Sequence, residues 1–385
     1  MKIFIVARGV PSAREPQWGN FEFDQALALK ELGHDVVVLS VDTRFRKYYR
    51  KYGITKELCG EIPHYNLFAG SIWSILRKIS VSLHKKYRRF CFLILFKRVV
   101  KQEGTPDLIY THYLSNSSMA LVTKTKFGIP LVGIEHWSEL GYSNIKPSVK
   151  RWAESVYKNL DCLITVSSTL KENIKRNFCV DSIVVNNMVG REFLYTPNDK
   201  DGTIVRFVTT GNLLPVKGFD NLILAFNQLS LPSDAWSLDI IGGGKERDNL
   251  MLLIEKLGLS DNIHLCGRKS RSGVIEMLNR SDVYIMSSRS ETFGVAAIEA
   301  LACGLPVIST DCGGARDFLT HDNGLLCPVN DVSKLSEAIY KMYNSYKEYD
   351  RNQIAIDCQK RFSSDAIGKK LESIFVDVIR RSKKE

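Results

Sequence analysis

The chain has 385 residues, 44% hydrophobic and 25% charged, with 53 Lys and Arg against 42 Asp and Glu. That length exceeds one hydrophobic core and points to two domains, at most three, while the composition excludes disordered, low-complexity and short-repeat classes. Nine scattered cysteines without a C-x-x-C pair exclude a disulfide framework and a structural zinc site; they read as small buried hydrophobes in a reducing cytosol.

In chain order, MKIFIVARGVPSAREP has one early lysine and a very short apolar run, so it reads as a first strand rather than a secretion leader. The strand HDVVVLSV follows, and then the charge becomes lopsided. From Arg44 to Lys101 there are 15 Lys and Arg against Glu57 and Glu61, an excess of 13; since the chain nets +11, the remainder sums to about −2. Within this segment Ile72, Leu76, Ile79, Leu83, Tyr87, Phe90 and Ile94 recur at spacings of three and four, which predicts a long helix with an apolar stripe. Arg77, Lys78, Lys85, Arg88 and Arg89 fall on its far side, whereas Lys86, Lys97 and Lys101 intrude on the stripe. A basic amphipathic helix with aromatics suits an anionic membrane surface, and Arg77, Lys78, Lys85, Lys86, Arg88 and Arg89 are the candidate contacts. A domain helix with a solvated face is the alternative; nucleic acid is a third reading and is not expected as a partner. The apolar run Phe90–Phe96 is far short of the roughly 20 residues that span a bilayer, so no membrane crossing is expected.

DLIYTHY, PLVGIEH, CLITVSS and SIVVNNM complete the first half; VRFVTTG, SLDIIGG, NIHLCG, VYIMSS, PVISTD and GLLCP make up the second. Strands alternating with helical stretches predict an α/β fold with doubly wound parallel sheets. The polar stretch TPNDKDGT separates them. The expected division is a first Rossmann-like domain over 1–195, a linker over 196–203, a second Rossmann-like domain over 204–364, and a C-terminal helix over 365–385 packing back on the first. Ligands of such sheets bind beyond the carboxyl ends of the strands, so the two domains should face a central cleft.

The residues just after the strands are therefore the candidates for chemistry. Gly211 and Asn212 follow VRFVTTG, and LLPVKGF then places Lys217 at a helix start, where backbone N–H groups and a cation can meet phosphate. Gly243 and Arg268 stand at the ends of the next two strands. Neither G-x-x-x-x-G-K-[ST] nor G-x-G-x-x-G is present, which argues against a Walker loop and against a dinucleotide dehydrogenase. In SETFGVAAIEALACGLP a helix is expected from Gly294 to Cys303, capped by Ser290 or Thr292, with the N–H groups of Phe293, Gly294 and Val295 facing the cleft. Glu291 lies at its mouth and Glu299 two turns deeper; in a regular helix their backbones are about 12 Å apart, wider than the ~5–9.5 Å of a glycosidase pair. They fit two grips on one ligand, with a buried Glu299 accepting from a ribose diol; a helix glutamate paired with a nearby Lys or Arg is the bland reading.

At this point the sequence resembles the retaining GT-B glycosyltransferases of glycosyltransferase family 4. ETFGVAAIEALACGLPVISTDCGG is similar to that family's E-x7-E signature, GNLLPVKG to its donor-phosphate loop, GHDVVVLS to its second strand, and SSTLKENI with VVNNM to its end-of-domain pattern. The resemblance implies a metal-independent hexosyltransfer with retained configuration and no cofactor besides the nucleotide-sugar substrate. It implies that Glu299 binds the ribose, that Glu291 and His136 lie beside the donor sugar, that Lys217 holds the diphosphate, and that Gly19 in QWGNFEF lets the first loop approach it. Two departures stand out: Asn212 occupies the position of the family's loop arginine, and Asn20 replaces the second glycine of the first loop. The expected setting is a cytoplasmic enzyme, peripheral on the inner face of the plasma membrane, acting on a lipid-linked or saccharide acceptor. A GT-B sugar-nucleotide epimerase and a catalytically weak nucleotide-binding protein are the competing readings.

Overall fold

A computed structural model of the chain describes residues 1–15, 18–45, 48–70, 80–137, 140, 145–197 and 204–383. Arg77, Lys78 and the stripe residues Ile72, Leu76 and Ile79 lie outside the described residues, as do positions 198–203 of the expected linker. The chain divides into two compact units, one of Met1–Val166, Leu170–Met188 and Ser364–Glu385, the other of Ser167–Thr169 and Val189–Ser363. Each is a sheet covered by helices, the α/β class expected from the sequence.

The first unit runs β1 (Lys2–Val6), α1 (Asn20–Glu31), β2 (Asp35–Asp42), β3 (Gly53–Cys59), β4 (Ile62–Phe68), α2 (Val81–Glu103), β5 (Leu108–His112), α3 (Leu114–Phe127), β6 (Leu131–Glu135), α4 (Pro147–Tyr157), β7 (Cys162–Thr165), α5 (Ser168–Phe178) and β8 (Ile183–Val184). Its sheet order is β3-β4-β2-β1-β5-β6-β7-β8, parallel except for β3 against β4. Strands β5 and β6 are buried along their whole length, so LIYTH and LVGIE begin as apolar runs without alternation and turn polar only at their carboxyl ends. The core joins Phe4, Val37, Tyr65, Phe92, Phe96 and Leu131. The hairpin β3–β4 was not expected from the sequence. GITKELC exposes Lys56, Glu57 and Leu58 at the sheet edge, so its apolar signal is weak; the turn at Gly60 and Glu61 fixes the pairing of Cys59 with Ile62.

The second unit runs β9 (Val205–Thr210), α6 (Phe219–Asn227), β10 (Trp236–Ile241), α7 (Arg247–Lys256), β11 (Ile263–Gly267), α8 (Arg271–Arg280), β12 (Val283–Met286), α9 (Val295–Ala302), β13 (Val307–Thr310), β14 (Gly324–Cys327), α10 (Val332–Ser345) and α11 (Arg351–Phe362). Its order, β11-β10-β9-β12-β13-β14, is wholly parallel and reverses direction at β9 and β12. That reversal opens a crevice at the carboxyl ends of those strands. The last helix, α12 (Ser364–Ser382), belongs to the first unit: Phe375 packs on Tyr110 with ring centroids 4.9 Å apart, and Glu372 lies 3.1 Å from the His34 ring.

The long basic helix α2 has its buried face at Cys91, Phe92, Leu95, Phe96 and Val99. The stripe through Leu83, Phe90 and Ile94 points outward, because the wider and more continuous apolar face of the helix is the one that wins burial. The charged residues divide accordingly. Lys85 lies 3.6 Å over the Trp152 ring and Arg88 donates to Asn116 at 3.1 Å, so neither belongs to an outer contact surface; Lys86 and Arg89 are exposed.

Candidate active site

In the second unit the loops after β9 and β12 are bound into one structure. After Thr210, residues Pro215–Lys217 make a single 3-10 turn before α6. The N–H of Arg289 donates to the Val216 carbonyl at 2.7 Å, and the Ser287 hydroxyl donates to the Lys217 carbonyl at 3.0 Å. Arg289 also forks onto Asp220 at 2.7 and 2.9 Å. The Lys217 side chain crosses to Glu291, Nζ to Oε1 2.5 Å, and the same oxygen accepts from the Ser288 hydroxyl at 2.8 Å. Lys217 is 25% exposed and Glu291 17%, so this ion pair is partly desolvated while open at the crevice rim.

Glu291 is not part of the helix. It forms a parallel bridge with Gly313, its N–H donating to the Cys312 carbonyl at 2.8 Å, so the regular-helix spacing to Glu299 does not apply. The residue that opens α9 is neither Ser290 nor Thr292. The capping position is Gly294, at φ 104°, a backbone conformation that residues other than glycine seldom adopt, and a β-carbon added there would press on Met286 and Phe318 at 3.0–3.3 Å. Glycine brings no side chain of its own to that position, and the first-turn N–H groups make it the positive end of the helix. Phe293 sends its ring into the core against Phe318 and Phe362. In VAAIEALA the residues Ala297, Ile298, Ala300 and Leu301 are buried, and Val295, Ala296 and Glu299 form the partly open stripe. Glu299 is thus half-buried rather than buried, the one ionisable group on a helix of small apolar residues. Its charge, with that of Glu291, adds to burial in raising the Tyr284 phenol, which bonds Thr210 at the end of β9. Burial first, then Glu299, pushes the Cys303 thiol up to about 12; burial and Glu291 do the same to Cys312.

Asn212 does not stand alone. Arg268, at the end of β11, donates to its side-chain carbonyl at 3.2 Å and to the Gly243 carbonyl at 3.3 Å, and its stem lies over Gly243. One guanidinium therefore ties together the loops after β9, β10 and β11, next to Gly211, over which the Lys217 stem lies.

The first unit has its own cluster at the ends of β1, β5 and β6. Arg8 forks onto the buried Glu22 at 2.6 and 3.2 Å and lies over the rings of Tyr113 and Trp18. His136 stacks on His112 with centroids 5.3 Å apart, Nε2 to Nδ1 3.1 Å. Burial pushes both imidazoles down to about 3, helped by the Arg8 cation and, at His136, by His112 against the opposing charge of Glu22, so both are neutral at neutral pH. Beneath them Glu135 is fully buried and accepts four hydrogen bonds, from the N–H groups of Leu114, His136 and Trp137 and from the Tyr157 hydroxyl. Gly19 begins α1 at φ 77°, and an added β-carbon would sit 2.2 Å from the Gly9 carbonyl oxygen, so glycine is required there by the chain's own packing. Arg8, Glu22, His112, Glu135 and Tyr113 were missed from the sequence; for His112 and Glu135 the signal was a polar residue closing an otherwise apolar strand, whereas Glu22, in the first turn of α1, gave none. Among the described residues no cluster of His, Cys, Asp and Glu could hold a metal ion.

Two α/β units built on largely parallel sheets, with a cation, carboxylates and a helix N-terminus at the strand ends of the second, are those of a GT-B glycosyltransferase. The chain belongs to glycosyltransferase family 4: residues 22–192 match Glycosyltransferase Family 4 and residues 191–356 match Glycosyl transferases group 1. It is 32% identical over 269 residues to the glycosyltransferase MJ1178 of Methanocaldococcus jannaschii, covering 68% of this chain and 73% of that one. It is 26% identical to the N-acetyl-alpha-D-glucosaminyl L-malate synthase of Bacillus anthracis, over 74% of this chain and 78% of that one. In fold it resembles HepE of Anabaena, solved with UDP and glucose, at a TM-score of 0.71 and 17% identity, with 98% of this chain and 100% of that one covered.

Proposed function

We propose that this glycosyltransferase moves a hexosyl unit from a nucleoside diphosphate sugar, UDP being the favoured carrier, to a lipid-linked or saccharide acceptor in surface polysaccharide or glycolipid synthesis. The observation that carries the donor assignment is the joining of Lys217 to Glu291, three residues before the glycine-led start of α9, at the carboxyl ends of β9 and β12. When a diphosphate leaves the sugar, negative charge grows on its oxygens. A lysine cation and aligned N–H groups held in place beforehand stabilise that charge more than the ground state, which is what accelerates the step. Glu291 keeps the Lys217 ammonium extended over Gly211. Glu299, on the open stripe of α9, is suited to accept from the two hydroxyls of a ribose.

The configuration of the sugar is retained in this reading, no metal takes part, and the departing phosphate itself receives the acceptor's proton. His136, neutral and stacked, supplies a hydrogen bond to a sugar hydroxyl rather than a charge. The UDP complex of HepE supports the carrier, and the working place is the cytoplasmic side of a membrane. The test is turnover of a panel of UDP- and GDP-hexoses with polyprenyl-linked and free sugar acceptors, the product read by NMR. An α-linked product from an α-linked donor is expected. Inversion at the anomeric carbon, or conversion of the sugar-nucleotide with no acceptor present, would refute the proposal.

A further inference from the structure

The outer face of α2 combines cations with exposed apolar side chains. At 3.6 residues per turn, positions 83, 86, 90, 94, 97 and 101 fall on one side of the helix, opposite the buried face. Lys86, Arg89, Lys97 and Lys101 are all exposed there. Between them stand Leu83 at 50% exposure, Phe90 at 61% and Ile94 at 45%. No acidic residue occurs from Val81 to Gln102, and Glu103 is taken by Lys56 and Tyr65. Beside the helix, a groove of about 760 Å³ against α3 is lined by Lys86, Arg89, Phe90 and Leu93 with Lys124 and Lys126. The exposed Phe127 closes the end of α3.

We propose that this face docks on an anionic phospholipid bilayer, with the helix axis along the membrane plane. Lys86 to Lys101 spans about 22 Å at 1.5 Å per residue, enough to lay four cations among headgroups on one side of a single helix. Leu83, Phe90 and Ile94 enter the boundary between headgroups and acyl chains, which removes from water the apolar area that folding leaves exposed. Charge and apolarity together select the lipid. A nucleic acid would satisfy the cations but offers nothing to the branched side chains of Leu83 and Ile94, which have no flat face for a base to stack on. The surface lies wholly in the first unit, so it does not rest on the donor-site reading: a chain that binds vesicles but no nucleotide would fail there and not here.

The test is sedimentation of the full chain with vesicles of phosphatidylcholine alone, or of phosphatidylcholine and phosphatidylglycerol in equal parts. Binding to the mixed vesicles only, weakened by salt, is expected. Lys86→Gln, Arg89→Gln, Lys97→Gln and Lys101→Gln together should weaken it by about tenfold or more, since each cation adds to the attraction. Phe90→Ser with Ile94→Ser should weaken it at unchanged charge, whereas Lys85→Gln with Arg88→Gln, whose partners are Trp152 and Asn116, should leave it in place. An unchanged melting temperature in each variant shows that the fold is kept, as exposed positions allow. The proposal is overturned if the wild type stays in the supernatant, if the fourfold variant binds as well as wild type, if a duplex oligonucleotide rather than the vesicle is bound, or if the apolar pair instead controls self-association.

Discussion

Replacing Glu135 with glutamine perturbs one buried carboxylate that four donors among the described residues hold. Oε1 accepts from the N–H groups of His136 and Trp137 at 2.9 and 2.8 Å, and Oε2 from Leu114 N–H and the Tyr157 hydroxyl at 2.9 and 2.7 Å. Burial raises the carboxyl pKa, and those donors oppose it, Tyr157 foremost. An amide nitrogen cannot accept, so one pair of donors is stranded whichever way the glutamine is turned. The Tyr157 hydroxyl can rotate to accept from the amide; a backbone N–H cannot. With about 1–3 kcal/mol for each stranded buried group and the lost strength of a charged acceptor, the expected cost is roughly 2–5 kcal/mol. For a unit of this size, at about 2–4 °C per kcal/mol, the first unit should melt roughly 5–15 °C lower by calorimetry. A shift under about 2 °C would mean that the carboxyl is already protonated or that its bonds do not hold the loop, and the reasoning would be wrong.

Arg268→Ala removes the guanidinium that donates to Asn212, and if it stands in for the family's loop arginine, UDP binding by calorimetry should weaken about five- to tenfold, a typical exposed charge-assisted contact. Adding Asn212→Arg should recover part of that loss; a wild-type dissociation constant for Arg268→Ala would remove the residue from the phosphate site. The His112–His136 pair makes stability pH-dependent. Both imidazoles have folded-state pKa values depressed from 6.5 to about 3, so the unfolded chain binds more protons in between, and stability present above pH 6.5 is lost on acidification toward 3. Denaturant midpoints measured from pH 7 to 4.5 should therefore fall less steeply for His112→Gln than for wild type; parallel curves would contradict the depressed values.

The parallel strands were legible because burial on both faces writes them as apolar, often β-branched runs, as in DVVVLSVD of β2, and the helix after Gly294 was legible from its small residues and closing Gly304. The hairpin β3–β4 was not, since an edge strand such as GITKELC needs no continuous apolar run. The phase of α2 was also misread. Two apolar faces coexist between Leu83 and Val99, and periodicity alone cannot say which one meets a core that lies elsewhere in the chain. At the site, Lys217 and Glu291 were each legible from position after a strand, but their pairing was not, because it depends on two loops 74 residues apart being fastened by Arg289 and Ser287. The left-handed cap at Gly294, and the relation of Arg268 to Asn212, are likewise properties of loops brought together by the sheet order rather than of local spacing.

The central claim is that the strand ends of the second unit hold a nucleoside diphosphate sugar through Lys217, α9 and Glu299. Thermal denaturation with UDP-hexoses at about one hundred times their dissociation constant should show stabilisation of about 2.7 kcal/mol, roughly 5–10 °C. Glu299→Ala at the same concentration should abolish most of the shift while melting normally without ligand. A wild-type melting point that no nucleotide sugar moves, or an undiminished shift in Glu299→Ala, would contradict the account.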